Sequence, residues 1–288
     1  MNGRTLIKAA AVVFVLILLA GFLSDTIDAM SWPCEDAVLI RNFGSNYTGR
    51  PTLGMVFAGN TEVLAAEKGE VIFSRDRNDT ASRLPSPLGA WTAVDHEDGL
   101  ISIYCRYADE NRTFTQVEKS QPIASTGISG WSAQNGFYFI VYDRRERRWI
   151  NPAMIITPMR ETGPMQIASV ELRNDQGLPV QSRSLNQGRY TILVNTAAAG
   201  GTLLAPQRIV CSVNGAEAGS LNFEAVSARD GVLMVYRNGL VPAKQVYANS
   251  PAFETAGVFL NRGQVTLEII VQDIAGNSRS VVNRLIVN

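Results

Sequence analysis

Along the first half of the chain, short runs rich in Val, Ile, Phe and Tyr cover 63–66, 71–74, 91–96, 101–107, 122–126 and 137–143, and those at 91–96 and 101–107 alternate along the chain. A period of two sends successive side chains to opposite faces of an extended strand. Lys68-Gly69 and Glu97-Asp98-Gly99 supply the turns, and the mixed, charged segment 75–87 with Pro85 and Pro87 reads as an exposed loop. The pattern is interrupted near 157–164 by Pro158, Gly163 and Pro164. It then resumes at 167–172, 190–195, 209–213, 221–225, 232–236, 258–260, 265–272 and 278–287. Asp273-Ile274-Ala275-Gly276-Asn277 joins the last two runs as a Gly-containing hairpin. Almost no stretch shows the 3.6-residue apolar period of a helix, so the expected fold class is all-β.

The N-terminus breaks this pattern. Arg4 and Lys8 precede an unbroken apolar run at 9–23, and polar residues follow from Ser24. That is the layout of a secretory signal, with Ala29 or Ser31 closing a candidate cleavage site. The run is short for a spanning helix, which needs about 20 residues. Retention as an uncleaved anchor is the second reading of the same segment. The sequence therefore divides into 1–31 as signal peptide or N-terminal anchor, 32–160 as a first β domain and 161–288 as a β-sandwich. The expected location is exported, in the periplasm or cell envelope, with an inner-membrane anchor if the segment stays.

Charge narrows the partners. Lys plus Arg and Asp plus Glu number 26 each, leaving no net field to draw the chain to nucleic acid or to an anionic membrane surface. Contact with a membrane is expected only through the N-terminal segment. The dense cluster Arg144-Arg145-Glu146-Arg147-Arg148 reads as a solvated hairpin turn. Cys34, Cys105 and Cys211 form no C-x-x-C pair. Cys105 and Cys211 sit in alternating apolar runs and read as buried, inert thiols. A Cys34–Cys105 disulfide is possible in an oxidising compartment and does not follow from spacing. The sequons at Asn46, Asn78 and Asn111 read as chance occurrences.

Several motifs in the first domain occur in a specific order. They are Trp32-Pro33, Arg41-Asn42-Phe43-Gly44, the stretch from Thr61 to Ile72 containing Val63-Leu64-Ala65-Ala66 and Gly69-Glu70-Val71, and the stretch from Leu88 to Gly99 followed by Ile103-Tyr104. Gln121-Pro122-Ile123-Ala124-Ser125-Thr126-Gly127-Ile128-Ser129-Gly130 and Trp149-Ile150-Asn151-Pro152 complete the series. Together they resemble the lysostaphin-type (LytM-like, M23) zinc metallopeptidases, which cut peptide cross-links in bacterial cell wall. Independently of the family, Gly69, Gly99, Gly127 and Gly130 fall where tight turns ask for positive φ. The second half resembles bacterial immunoglobulin-like modules, which carry a similar D-x-A-G-N hairpin.

The resemblance implies a zinc site, and the residues expected there are the wrong ones. Active members bind zinc through the histidine and aspartate of H-x-G-x-D and the second histidine of H-x-H. The first histidine of H-x-H and another in Y-x-H assist. Laid on this chain, the ligand positions become Thr52, Val56 and Phe139, and the catalytic positions become Phe137 and Arg106. None of these offers zinc a suitable lone pair, and without the ion nothing brings water's pKa to about 7. The single histidine, His96, falls at a family position that is not a ligand and is expected to be structural. Neither a Ser/His/Asp elbow nor a carboxylate pair stands out. Met55, Arg106, Phe137, Tyr138 and Phe139 are expected to line the former groove, as an inert filling or as a peptide or glycan platform.

The resulting expectation is a non-catalytic envelope protein with no cofactor, regulating or scaffolding near peptidoglycan, a cell-wall hydrolase or an envelope protein complex. Family members without ligands include activators of amidases and components of envelope machines. The alternatives are an active peptidoglycan endopeptidase with a relocated site and a partner-binding protein acting through its immunoglobulin-like domain.

Overall fold

The computed structural model describes residues 30–75, 86–108, 114–156, 165–198 and 204–288. The expected signal segment, most of the 75–87 loop and the 157–164 boundary lie outside the described residues.

In the first half, an antiparallel sheet runs in the order Gly69–Arg75, Ala90–Asp95, Leu100–Tyr107, Gly136–Asp143, Met55–Ala58 and Val38–Arg41. Gly136–Asp143 is its centre. One edge pairs with Leu100–Tyr107, and the other is shared between Met55–Ala58 and Arg148–Ile150. Two glycines let Met55–Ala58 and Gly136–Asp143 approach. A Cβ on Gly54 would lie 2.1 Å from the Phe139 carbonyl oxygen, and one on Gly136 would lie 2.0 Å from that of Phe57. The glycines singled out from sequence divide into two kinds. Gly99 and Gly130 do adopt positive φ, whereas Gly69 and Gly127 do not and are glycine because backbone passes too close for a Cβ.

The sheet's pleat separates two faces. On one, Phe57 stacks on Phe137 at 5.0 Å and Tyr104 tilts against Phe139 at 5.3 Å, with Met55 opposite Phe139. These side chains are all but inaccessible to solvent and form the core. The other face carries Cys105, Tyr138 and Ile140, with Val56, Leu88, Trp91, Ile103 and Trp149 packed around them.

The second half is built from two sheets. Pro179–Val180, Met165–Asn174, Gly188–Ala198 and Phe253–Leu260 form an antiparallel set of four. Ser278–Val287, Gly263–Gln272, Arg208–Val213 and Ala216–Arg229 form the facing set, which Val232–Arg237 and Leu240–Pro242 extend. One apolar core contains Ile192, Val194 and Phe253 from the first set and Ile209, Leu221 and Ile269 from the second. A 3.1 Å Cys211 Sγ to Thr255 Oγ1 contact ties the two sets together. The expected hairpin is present: Asp273 Oδ1 accepts from the Asn277 amide at 2.8 Å and Gly276 takes φ +87°. The arginine-rich hairpin is exposed, its turn held by Asp143 Oδ1 accepting from the amides of Arg145 and Glu146.

Residues 31–288 form one compact unit. Arg148–Ile150 pairs in register with Ala225–Ser227, so hydrogen bonding passes from the first-half sheet into the second. Asn151 donates from its amide to Glu224 O at 2.8 Å and from Nδ2 to Phe223 O at 3.1 Å. Phe43 belongs to the second-half core, and Tyr247 Oη donates to Gly44 O at 2.9 Å. Asn42 exchanges two hydrogen bonds with the Ala205 backbone, at 2.7 and 2.8 Å. The rims of this junction enclose a small cleft lined by residues such as Trp32, Met55, Asn151 and Ala205.

The three cysteines are buried and make no disulfide. Burial pushes the Cys105 thiol from 9.0 up to about 12 and the Cys211 thiol up to about 11, and it pushes the Tyr104 phenol from 10.0 to about 12. The unfolded chain therefore loses these protons first as pH rises. Their stabilising contribution is whole below pH 9 and is lost through the range 9 to 12. Each group adds a slope of about 1.4 kcal/mol per pH unit within its own window. Urea midpoints measured at pH 7.5, 9 and 10.5 are expected to hold steady between the first two and fall steeply by the third.

Candidate functional site

The seven expected site residues do not meet in one place. Phe137 and Phe139, with Met55, point into the core at 2%, 0% and 1% exposure, where they cannot line a groove. Val56, Tyr138 and Arg106 lie on the opposite face of the sheet. The reason is the period of two: Val56 is directly opposite Tyr138, so Tyr138 and Ile140 share its side and Phe137 and Phe139 do not. Thr52 is buried and donates from Oγ1 to Ser45 O at 3.1 Å. Its neighbour Leu53 donates its amide to Tyr138 Oη at 3.0 Å, which brings the loop over that face.

Across this face the ladders align a continuous row. Arg41 opposes Val56, Val56 opposes Tyr138, Tyr138 opposes Cys105, Cys105 opposes Trp91, and Trp91 opposes Arg75. Directly paired residues on one face are close neighbours, with Cβ atoms about 5 Å apart. Phe73 adds to the row by stacking on Trp91 at 4.3 Å.

Arg106 enters the row by a backbone irregularity. The register passes from Ala90↔Tyr107 to Trp91↔Cys105, leaving Arg106 as the extra residue of a β-bulge, and its φ is +66°. A bulge re-aims a side chain, and a left-handed conformation at a non-glycine residue is strained by about 1–3 kcal/mol. The amide of Arg106 is fixed by Leu88 O at 2.8 Å, and its guanidinium carbon sits 5.1 Å from the Tyr138 ring centroid. Its Nε is buried without a hydrogen-bond partner among the described residues. Burial pushes the Tyr138 phenol well above its usual range, with the neighbouring Cys105 adding to the shift. The Leu53 amide and the charges of Arg106 and Arg41 oppose it. Arg41 itself lies 3.5 Å over the Tyr47 ring. Among the described residues, neither Arg41 nor Arg106 has a carboxylate partner, whereas Asp95, further along the same face opposite Ile101, is engaged by Arg144.

Strain and an orphaned donor at one residue make a stability prediction. Arg106→Gly accepts φ +66° without steric cost and removes the unpaired Nε, so it should raise stability by about 1 kcal/mol. A lower denaturation midpoint for this variant would show that the arginine is a structural support.

His96 is structural, as its position implies. Nδ1 lies 2.7 Å from the Lys68 carbonyl oxygen, which can only accept, so Nδ1 carries the proton. Nε2 lies 2.9 Å from Ser102 Oγ, itself 3.0 Å from Tyr104 Oη, and the histidine is buried. Both ring nitrogens are engaged inside the protein. Among the described residues, no group of three His, Cys, Asp or Glu side chains is placed to hold a metal.

The model for peptidase family M23 matches residues 50–152. This segment is an M23 (LytM-like) domain. A separate family model matches residues 164–288. A Treponema pallidum (strain Nichols) protein named "Uncharacterized protein" is 24% identical over 141 residues, covering 44% of this chain and 96% of its own length. Among solved structures, the catalytic domain of the prophage-encoded M23 protein EnpA from Enterococcus faecalis is 18% identical. It covers 43% of this chain and 94% of its own, at a TM-score of 0.36. A SpoIIQ–SpoIIIAH pore-forming complex contributes a chain 18% identical, covering 46% and 92%, at a TM-score of 0.37.

A zinc ion, which an M23 domain implies, would have to be held on this face. Val56, Tyr138, Ile140, Cys105 and Arg106 offer one thiol, held protonated by burial, one phenol and one fixed positive charge. A guanidinium beside the site repels a dication, and no carboxylate or imidazole of the row compensates. The residues do not fit the metal.

Sequence reasoning missed Arg41 and Trp91 as members of this site. Arg41 stood in the motif Arg41-Asn42-Phe43-Gly44, read only as part of the scaffold. The signal that joins it to Val56 is strand pairing, which alternation within one strand does not reveal.

Proposed function

We propose that the protein is a non-catalytic, exported M23-like protein of the cell envelope, with a regulatory or scaffolding role at or near peptidoglycan. One observation carries this reading: on the sheet face where Val56 lies, every candidate donor position holds a residue that cannot grip zinc. The two histidines of an H-x-H strand share a face, and sharing Val56's face places them at 138 and 140. The replaced residues are then Val56, Tyr138 and Ile140, with Thr52 before them and Arg106 in the Y-x-H position. This moves the H-x-H correspondence by one residue from Phe137 and Phe139 and leaves the chemistry equally absent.

A relocated hydrolase has little to work with. The chain's only histidine is saturated by Lys68 and Ser102, so it cannot serve as a general base without breaking the core. The second half, expected to be immunoglobulin-like, extends the same compact unit and supports a scaffolding role. The test is digestion of purified sacculi by the full chain with added zinc. This reading predicts no release of soluble fragments, and chelator-sensitive release would end it.

A further inference from the structure

The exchange of side chains on the Val56 face has done more than delete donors. A face that would hold a cation in a zinc peptidase now carries two arginines: Arg106, whose guanidinium carbon lies 5.1 Å from the Tyr138 ring centroid, and Arg41, which opposes Val56 and lies over the Tyr47 ring. Tyr138 itself sits in an apolar cluster with Ile140, Val56, Leu88 and Trp91. Neither guanidinium has an acidic partner among the described residues, and Arg106 Nε is a buried donor with no acceptor. Arg106 reaches the face only through a strained bulge, which brings its guanidinium carbon to 5.1 Å from the Tyr138 ring centroid. Outliers of this kind concentrate where a side chain must be aimed at something.

We infer that this face is a carboxylate-binding site that takes the free C-terminus of a peptide, with Arg106 and Arg41 engaging the carboxylate and the half-buried Val56 and Trp91 contacting the adjoining side chains. Guanidinium forks match the planar carboxylate, and a low-dielectric setting strengthens charge-assisted hydrogen bonds. The apolar flanks favour a peptide over a bare inorganic ion, whose remaining oxygens would face hydrocarbon. The inference rests on the non-catalytic reading above, because a zinc ion on this face would be repelled by the same two arginines.

The test is tryptophan fluorescence, since Trp91 and Trp149 pack on this face, with the full chain in mild detergent. Ac-Ala-Ala with a free carboxylate is titrated against its C-terminal amide and against inorganic phosphate. The carboxylate peptide should bind at least about tenfold more tightly than either, because each lost charge-assisted contact costs an order of magnitude or more. Arg106→Gln and Arg41→Gln should each weaken it about tenfold or more, and Arg106→Lys should lose less than Arg106→Gln. Arg144→Gln, on the same face but paired with Asp95, should bind as the parent does. Melting curves confirm that each variant is folded. Equal binding of acid and amide, phosphate binding as tightly, or folded Arg41 and Arg106 variants that bind like the parent would each overturn the inference. None of those results would touch the non-catalytic reading, which falls only if the parent digests sacculi with zinc.

Discussion

Replacing Phe223 with Ala should lower the stability of the whole 31–288 unit by about 3–5 kcal/mol and leave one unfolding transition. Phe223 is 2% exposed and lies edge-on to Phe253 at 4.9 Å, so truncation opens a cavity in the second-half core. The same ring also packs beside Gly44 of the first half, where a Cβ would come within 2.5 Å of it. Losing the ring therefore loosens both halves at once, and the 148–150 ladder to 225–227 transmits the loss. Calorimetry should show a single, shifted peak. Two peaks, with only the later residues destabilised, would mean that the halves fold independently despite the shared sheet.

The second large effect concerns the register of the altered site. Val56→Asp, Tyr138→His and Ile140→His together place three donors on one face of two adjacent strands, and zinc affinity should rise by at least about 100-fold over the parent. Val56→Asp with Phe137→His and Phe139→His puts two imidazoles into the opposite, buried face. That set should gain no zinc site and should lose several kcal/mol of stability through unpaired buried polar groups. A competitive zinc titration with a chromogenic chelator separates the two. If the second set bound zinc and the first did not, the assignment of faces would be wrong.

Much of the architecture was legible in the chain because alternation is a local signal. Strands such as Leu100–Tyr107, Gly263–Gln272 and Ser278–Val287 carry their own period, and Asp273-Ile274-Ala275-Gly276-Asn277 carries its own turn chemistry. His96 was also legible, since a lone histidine in a hairpin has few roles. Met55–Ala58 was not recognised as a strand: four apolar residues in succession, with both faces covered, have no period to read. The face of Phe137 and Phe139 was misjudged for a related reason. A strand that is buried nearly throughout, as Gly136–Asp143 is, shows the same apolar character at every position, so a slip of one residue leaves no mark in the sequence. Only the pairing with Val56 resolves it. The strand ladder between 148–150 and 225–227 was out of reach as well, because partners some 75 residues apart leave no local trace. The bulge at Arg106 belongs with these, since nothing around Tyr104-Cys105-Arg106-Tyr107 announces a left-handed arginine.

What the face around Val56, Tyr138 and Arg106 can hold separates a scaffold from a peptidase. The direct measurement is the zinc content of the full chain, purified without chelator from zinc-supplemented cells and analysed by plasma mass spectrometry, with sacculus digestion assayed on the same sample. The prediction is no stoichiometric zinc and no digestion. One zinc per chain, removed by a chelator together with a digestive activity that returns when the metal is restored, would contradict it.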